Sequence, residues 1–137
     1  MAQQKGKLVF FLPISILILN ELIRTFLRPI YGQRRYGLLS ETLGWLPNFL
    51  GSISLMSIAI VIVIIIQGSS DKPLSRKYKV LILFAATLIG LTGFILHEMS
   101  QKGTGLTFDI SDIYATVAGI FLGASLFYFM LLNKKDE

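Results

Sequence analysis

Pro47-Asn48-Phe49-Leu50-Gly51-Ser52-Ile53-Ser54-Leu55-Met56-Ser57-Ile58-Ala59-Ile60-Val61-Ile62-Val63-Ile64-Ile65-Ile66 is a run of 20 residues without a single charge. Wound as a helix at 1.5 Å per residue it is ~30 Å long, which matches the hydrocarbon core of a bilayer. Three more runs of similar length stand around it, Leu8–Leu27, Val80–Leu96 and Ile113–Leu132. None alternates with the period of two that a barrel strand needs. The expected fold is an all-α integral membrane protein. It is a four-transmembrane-helix bundle forming a single domain over residues 1–137, with spans at about 8–27, 47–66, 80–96 and 113–132.

Composition agrees. Of the 137 residues, 53% are hydrophobic and 15% are charged, with a mean hydropathy of +0.67; soluble domains carry roughly 25% charged residues. The chain has no cysteine and one histidine. Thiolate chemistry, disulfides and any site built on two imidazoles are thereby excluded. Lys5 and Lys7 precede an apolar stretch as in a signal peptide. However, Asn20-Glu21-Leu22-Ile23 follows instead of a small-x-small cleavage pattern, so the segment reads as an uncleaved first span.

Charge sets the orientation. Four spans place both termini and the 67–78 loop on one side, with eight basic and three acidic residues; the other side has five of each. The positive-inside rule then puts both termini in the cytoplasm. The net charge of +5 and the pI of 9.6 follow from this topology, and no nucleic-acid partner is expected. Basic residues of the 67–78 loop are suited to lie against anionic headgroups.

Polar residues inside or beside the spans are the candidate site. Glu21 lies roughly 20 Å into a ~30 Å core when counted from Leu8. Glu21, Arg24 and Arg28 fall within about 60° of one another on a helix, and Glu21 can pair with Arg24. They either wall a pocket facing the bundle or let the arginines snorkel outward beside a neutralising Glu21. His97, Glu98 and Gln101 share a face at the end of the third span. His97-Glu98-Met99-Ser100-Gln101 resembles a zinc-protease HExxH string, but a glutamine amide is a poor zinc ligand and no second histidine exists. No metal and no cofactor are therefore expected. His97, Glu98 and Asp112 are the candidates for acid–base work; a polar collar at the membrane surface is the alternative.

Of Asp109 and Asp112, one is expected to cap the fourth helix and the other to reach inward. Pro47 suits a first helical turn, leaving Asn48 as an amide that needs a partner from the bundle. Gly119 and Gly123, in GxxxG spacing, are read as a packing face, with Gly90 and Gly93 of the third span as the matching surface. The Gly119/Gly123 face could also dock another membrane protein. Arg28-Pro29-Ile30-Tyr31-Gly32-Gln33-Arg34-Arg35-Tyr36 interleaves arginine with tyrosine, suiting either a phosphate or carboxylate ligand or a plain interfacial belt. Glu21 and Arg24 are expected to share one outward cleft with Glu98, Gln101 and Asp112, and Arg24→Ala to destabilise more than Arg34→Ala.

Glu98-x-x-Gln101, followed by Phe108-Asp109-x-x-Asp112-x-x-x-Thr116-x-x-Gly119-x-x-x-Gly123, resembles the VanZ-like family of membrane proteins. Arg28-Pro29 and Leu46-Pro47-Asn48-Phe49 are compatible with it. The chain departs from that pattern at Thr116, where the family often has asparagine, and at Leu106-Thr107, where it often carries an arginine. The resemblance implies a multi-pass protein of the bacterial cytoplasmic membrane, connected with the cell envelope and in some members with glycopeptide resistance. Ligand-binding candidates are then Glu21, Arg24, Arg28, Asn48, Gln101, Asp109 and Thr116, and membrane lipid is the expected partner. The open readings are an envelope-lipid or glycopeptide-related headgroup bound or modified in the cleft, a small lipid phosphatase or transferase, and an accessory subunit of a larger membrane complex.

Overall fold

The computed structural model describes residues 2–32, 36–70, 72–100 and 109–133, with side chains from residue 10 onward. Helix α1 runs Ala2–Leu22 and continues through one wide π turn, Ile23–Leu27, into the short α2, Arg28–Tyr31. The wide turn has a local cause. A proline ring clashes with the carbonyl four residues back in a regular helix, and Pro29 follows directly. The backbone responds by pairing the Arg28 N–H with the Ile23 carbonyl, five residues away. Helix α3 runs Leu38–Gly68, α4 Arg76–Ser100 and α5 Ile110–Phe127, with a final π turn at Tyr128–Leu132. No strand occurs among the described residues.

Among the described residues, four helices are long and apolar enough to cross a membrane: Phe10–Tyr31, Leu38–Gly68, Arg76–Ser100 and Ile110–Leu132. Their outward surfaces carry large side chains such as Phe11, Phe26, Phe84, Ile89, Leu96, Phe121 and Phe129, each more than half exposed. A soluble monomer rarely tolerates so continuous an apolar surface; lipid is its natural solvent. The chain is a multi-pass, all-α membrane protein.

The second helix starts nine residues earlier than the sequence reading placed it. Pro47 lies inside α3 instead of in its first turn. The added segment, Leu38–Leu46, follows a tight connection. Gly37 takes φ 55°, a conformation natural to glycine. Ser40 then donates its hydroxyl to the Tyr31 carbonyl at 2.6 Å and accepts from the Tyr36 N–H at 3.3 Å. Tyr31 and Tyr36 meet edge to face, 5.2 Å between centroids. At 1.5 Å per residue α3 is about 46 Å long. Trp45 to Ile66 covers about 32 Å of that, a full hydrocarbon thickness, so Leu38–Gly44 overshoots the membrane-spanning part.

Helix α3 is the centre of the bundle. It packs most extensively on α5, and also on α1 and α4; α4 packs on α5, while α1 and α4 make no extended contact with each other. Glycine explains the tight α3–α5 seam. A Cβ on Gly119 would stand 2.5 Å from the Phe49 carbonyl oxygen and 2.8 Å from the Ser52 Cβ, and one on Gly123 would collide with Met56. The Gly119/Gly123 face is therefore filled by α3 of the same chain, not by the third span and not left open for another protein. Gly90 does pack, between Leu55 and Ile120, whereas Gly93 has nothing within 4 Å and is no packing residue.

The two ends of the bundle differ. At one, Ala59, Ile60, Val63, Phe127 and Leu131 form a buried apolar core. At the other, polar side chains replace it. Two serine hydroxyls between them are absorbed locally: Ser52 donates to the Asn48 carbonyl at 2.7 Å and Ser57 to that of Ile53 at 2.8 Å. Ser54 reaches across to the Pro13 carbonyl of α1 at 3.2 Å, an interhelical bond of the kind that fastens helices in lipid.

Candidate functional site

The open end holds a cleft of about 1290 Å³. Helix α1 and its extension form one wall, α4 and the start of α5 the other, and the first two-thirds of α3 the floor. Glu21, Arg24, Arg28, Asn48, His97, Glu98, Asp109 and Asp112 all line it. Candidates separated by up to 91 positions in sequence thus meet in one place. Thr116 is buried but does not line the cleft, and Gln101, Arg34 and Arg35 lie outside the described residues.

Asn48 organises the acidic wall. Its Nδ2 donates to Glu98 Oε1 at 3.2 Å, and its side chain also hydrogen-bonds Asp112. An amide nitrogen has two hydrogens to give, so one residue of α3 ties α4 and α5 together through their carboxylates. Glu98 is 3% exposed and Asp112 9%. Glu98, Asp109 and Arg28 are the charges acting on Asp112. The division of labour between the two aspartates is as their spacing suggests. Asp109 caps α5 by accepting from the Ser111 N–H at 2.8 Å, and Asp112 turns into the bundle.

The basic wall is looser. Arg24 Nη1 meets Glu21 Oε1 at 3.1 Å, with the two side chains 56% and 62% exposed. The pair belongs to the cleft, as expected, but lies on its open side and is not buried. The expectation that Arg24→Ala is costly therefore loses its basis: an exposed pair contributes about 0–1 kcal/mol.

Sequence reasoning passed over four polar lining residues, Asn20, Ser40, Glu41 and Ser54, as well as the apolar ones. Asn20 had a visible signal, an amide directly after the apolar Ile16–Leu19 run. It is 8% exposed, and its Oδ1 has no hydrogen-bond partner among the described residues. Asn20 of α1 and Phe94 of α4 both converge over Gly51, where a Cβ would stand 3.2 Å from Phe94 Cζ and 3.9 Å from Asn20 Nδ2. Beyond that level the lining is mainly apolar, with Leu17, Leu55 and Ile58 beside Ser54.

Comparisons with protein-family models, with curated proteins and with solved structures found no match.

Proposed function

We propose that this protein is a VanZ-like component of the bacterial cytoplasmic membrane, with both termini in the cytoplasm and the cleft facing outward, and that it binds the headgroup of an envelope amphiphile. The observation that carries the reading is the polarity gradient along the cleft. Along the helices, Glu21, Arg28, Glu41 and Glu98 lie towards the end that holds the α1–α3 and α4–α5 connections, while Leu17, Leu55, Ile58 and Phe94 lie further along towards the middle of the bundle, with Ser54 among them. A soluble metabolite has no use for the apolar half, and a plain structural bundle has no use for buried carboxylates, which are costly within a membrane. An amphiphile uses both, with its polar end at the mouth and its chain pointing towards the bilayer centre.

A photo-crosslinkable, single-chain lipid tests this. Crosslinking should map to the cleft by peptide mass spectrometry, and Ile58→Trp, which fills the apolar half, should abolish it. Labelling confined to the outer faces of α1 and α4, unaffected by Ile58→Trp, would refute the reading. A second reading, a lipid phosphatase or transferase acting on the same headgroup, rests on His97 lining the cleft beside Glu98. Headgroup turnover that His97→Ala abolishes while leaving lipid binding intact would establish it.

A further inference from the structure

We infer that the amphiphile taken by this cleft carries an uncharged hydrogen-bond donor, a hydroxyl or an amide N–H, where its polar end joins its chain, and that Asn20 accepts from it; the inference rests on the amphiphile reading above. Asn20 lines the cleft and is more than nine-tenths buried, and its Oδ1 has no hydrogen-bond partner among the described residues. A buried acceptor without a donor is costly, the more so within a span where water is scarce. The polar side chains that α3 presents along the same stretch do not relieve it. A serine has one hydrogen to give, and Ser52, Ser54 and Ser57 give theirs to the carbonyls of Asn48, Pro13 and Ile53. Asn48 commits its amide to Glu98 and Asp112. A ligand donor supplies what these groups do not. The last torsion of an asparagine is broad and roughly two-fold, so the amide can turn its oxygen to the cleft without any movement of the helix.

Depth decides the kind of donor. A Cβ on Gly51 would stand 3.9 Å from Asn20 Nδ2 and 3.2 Å from Phe94 Cζ, so Gly51 marks the level of Asn20. Along α3 that level is three residues, ~4.5 Å, inward of Asn48, and along α4 Phe94 is four residues, ~6 Å, inward of Glu98. Beyond it the lining is mainly apolar. Asn20 therefore stands where the polar lining gives way, about one helical turn below the carboxylates that Asn48 holds. A charged group placed there would lose its hydration at the edge of the apolar half. A hydroxyl or a secondary amide brings one hydrogen to donate and no charge. The order of parts also agrees: chain among Leu17, Leu55 and Ile58, donor beside Asn20, polar end towards Glu98 and Arg28. A lysoglycerolipid carries its chain, free hydroxyl and headgroup in that order, and an N-acylated amphiphile its chain, amide and headgroup.

Monoacyl lipids of one chain length test this when titrated against the detergent-solubilised full chain by native mass spectrometry. Phosphoglycerol and phosphocholine headgroups are run in parallel, so that headgroup charge does not decide the outcome. Each is made with a free hydroxyl at the junction, with that hydroxyl replaced by hydrogen, with it methylated, and with an amide N–H instead. The hydroxyl or the amide form should bind roughly three- to tenfold more tightly than the deoxy form, the ratio that one neutral hydrogen bond supplies. The tighter of the two names the source of the donor, and the methyl ether should bind no better than the deoxy form. In Asn20→Leu the preference should vanish, while thermal unfolding of this variant without lipid should match the parent or exceed it, because leucine leaves no unpaired amide. A marked fall in its Tm would show that Asn20 serves the fold and overturn the inference. Equal binding of all forms, lost in Ile58→Trp, would overturn the junction donor and leave the amphiphile reading standing, as would a methyl ether that binds as tightly as the hydroxyl. Binding of no lipid, or binding indifferent to Ile58→Trp, would overturn both.

Discussion

At the scale of single residues, Asn48 and the Glu21–Arg24 pair behave as opposites. Asn48 donates to carboxylates on two other helices in a setting shielded from water, so replacing it takes a donor away from each. Asn48→Leu is expected to lower stability by about 1–3 kcal/mol, the cost of weakening buried polar partners. Arg24→Ala, by contrast, should change stability by less than about 1 kcal/mol because its pair is more than half exposed. Thermal unfolding of both variants in the same detergent checks this; a larger loss for Arg24→Ala would show that the acidic wall does not depend on Asn48. The sequence marked both features as polar groups in apolar runs. It could not rank them, because exposure depends on which helices stand alongside.

At the scale of helices, the α3–α5 seam is the part most sensitive to bulk. Gly119→Leu and Gly123→Leu should each cost about 1–3 kcal/mol through overpacking and broaden the elution profile of the purified protein. Gly93→Leu, with open space around it, should be neutral in both measurements. Equal tolerance of all three would disprove the close approach of α3 and α5. The four spans were legible because hydropathy over ~20 residues is a local property, and the GxxxG spacing marked a close contact for the same reason. Its partner was not legible: pairing Gly119 with Phe49 and Ser52 joins positions some 70 apart, and nothing in either segment names the other. Nor was the start of α3. Pro47 fits a first turn, and the Leu38–Leu46 stretch with Ser40, Glu41 and Gly44 reads as a loop unless the Ser40–Tyr31 bond that shapes the connection is known.

At the scale of the whole molecule, the cleft, the Tyr31–Tyr36 connection and the start of α5 occupy one end, and the apolar core with the α3–α4 connection the other. The absence of cysteine makes the orientation easy to measure. Tyr36→Cys should react with an impermeant thiol reagent in intact cells, while Ser70→Cys should react only after permeabilisation. The reverse pattern would turn the cleft towards the cytoplasm. Much of the site was legible at this scale as well, since even-numbered crossings bring the ends of α1 and α4 to the starts of α3 and α5. Asn20 and Glu41 were missed because neither belongs to a motif; each gains its meaning from the opposite wall.

Among the described residues helix α1 packs mainly on α3 and makes no extended contact with α4, so the cleft has a side as well as a mouth. A molecule already dissolved in the surrounding leaflet meets that side with its long axis set by the bilayer and its polar end at the height of Arg28 and Glu98. Encounter is then a search over a surface, not through a volume, and most of the rotational freedom that association ordinarily removes is gone beforehand. For an amphiphile of the proposed kind, occupancy would be governed by its mole fraction among the neighbouring lipids. A site of modest intrinsic strength, easily overlooked in dilute detergent, can be filled for most of the time in the membrane and still release its occupant quickly.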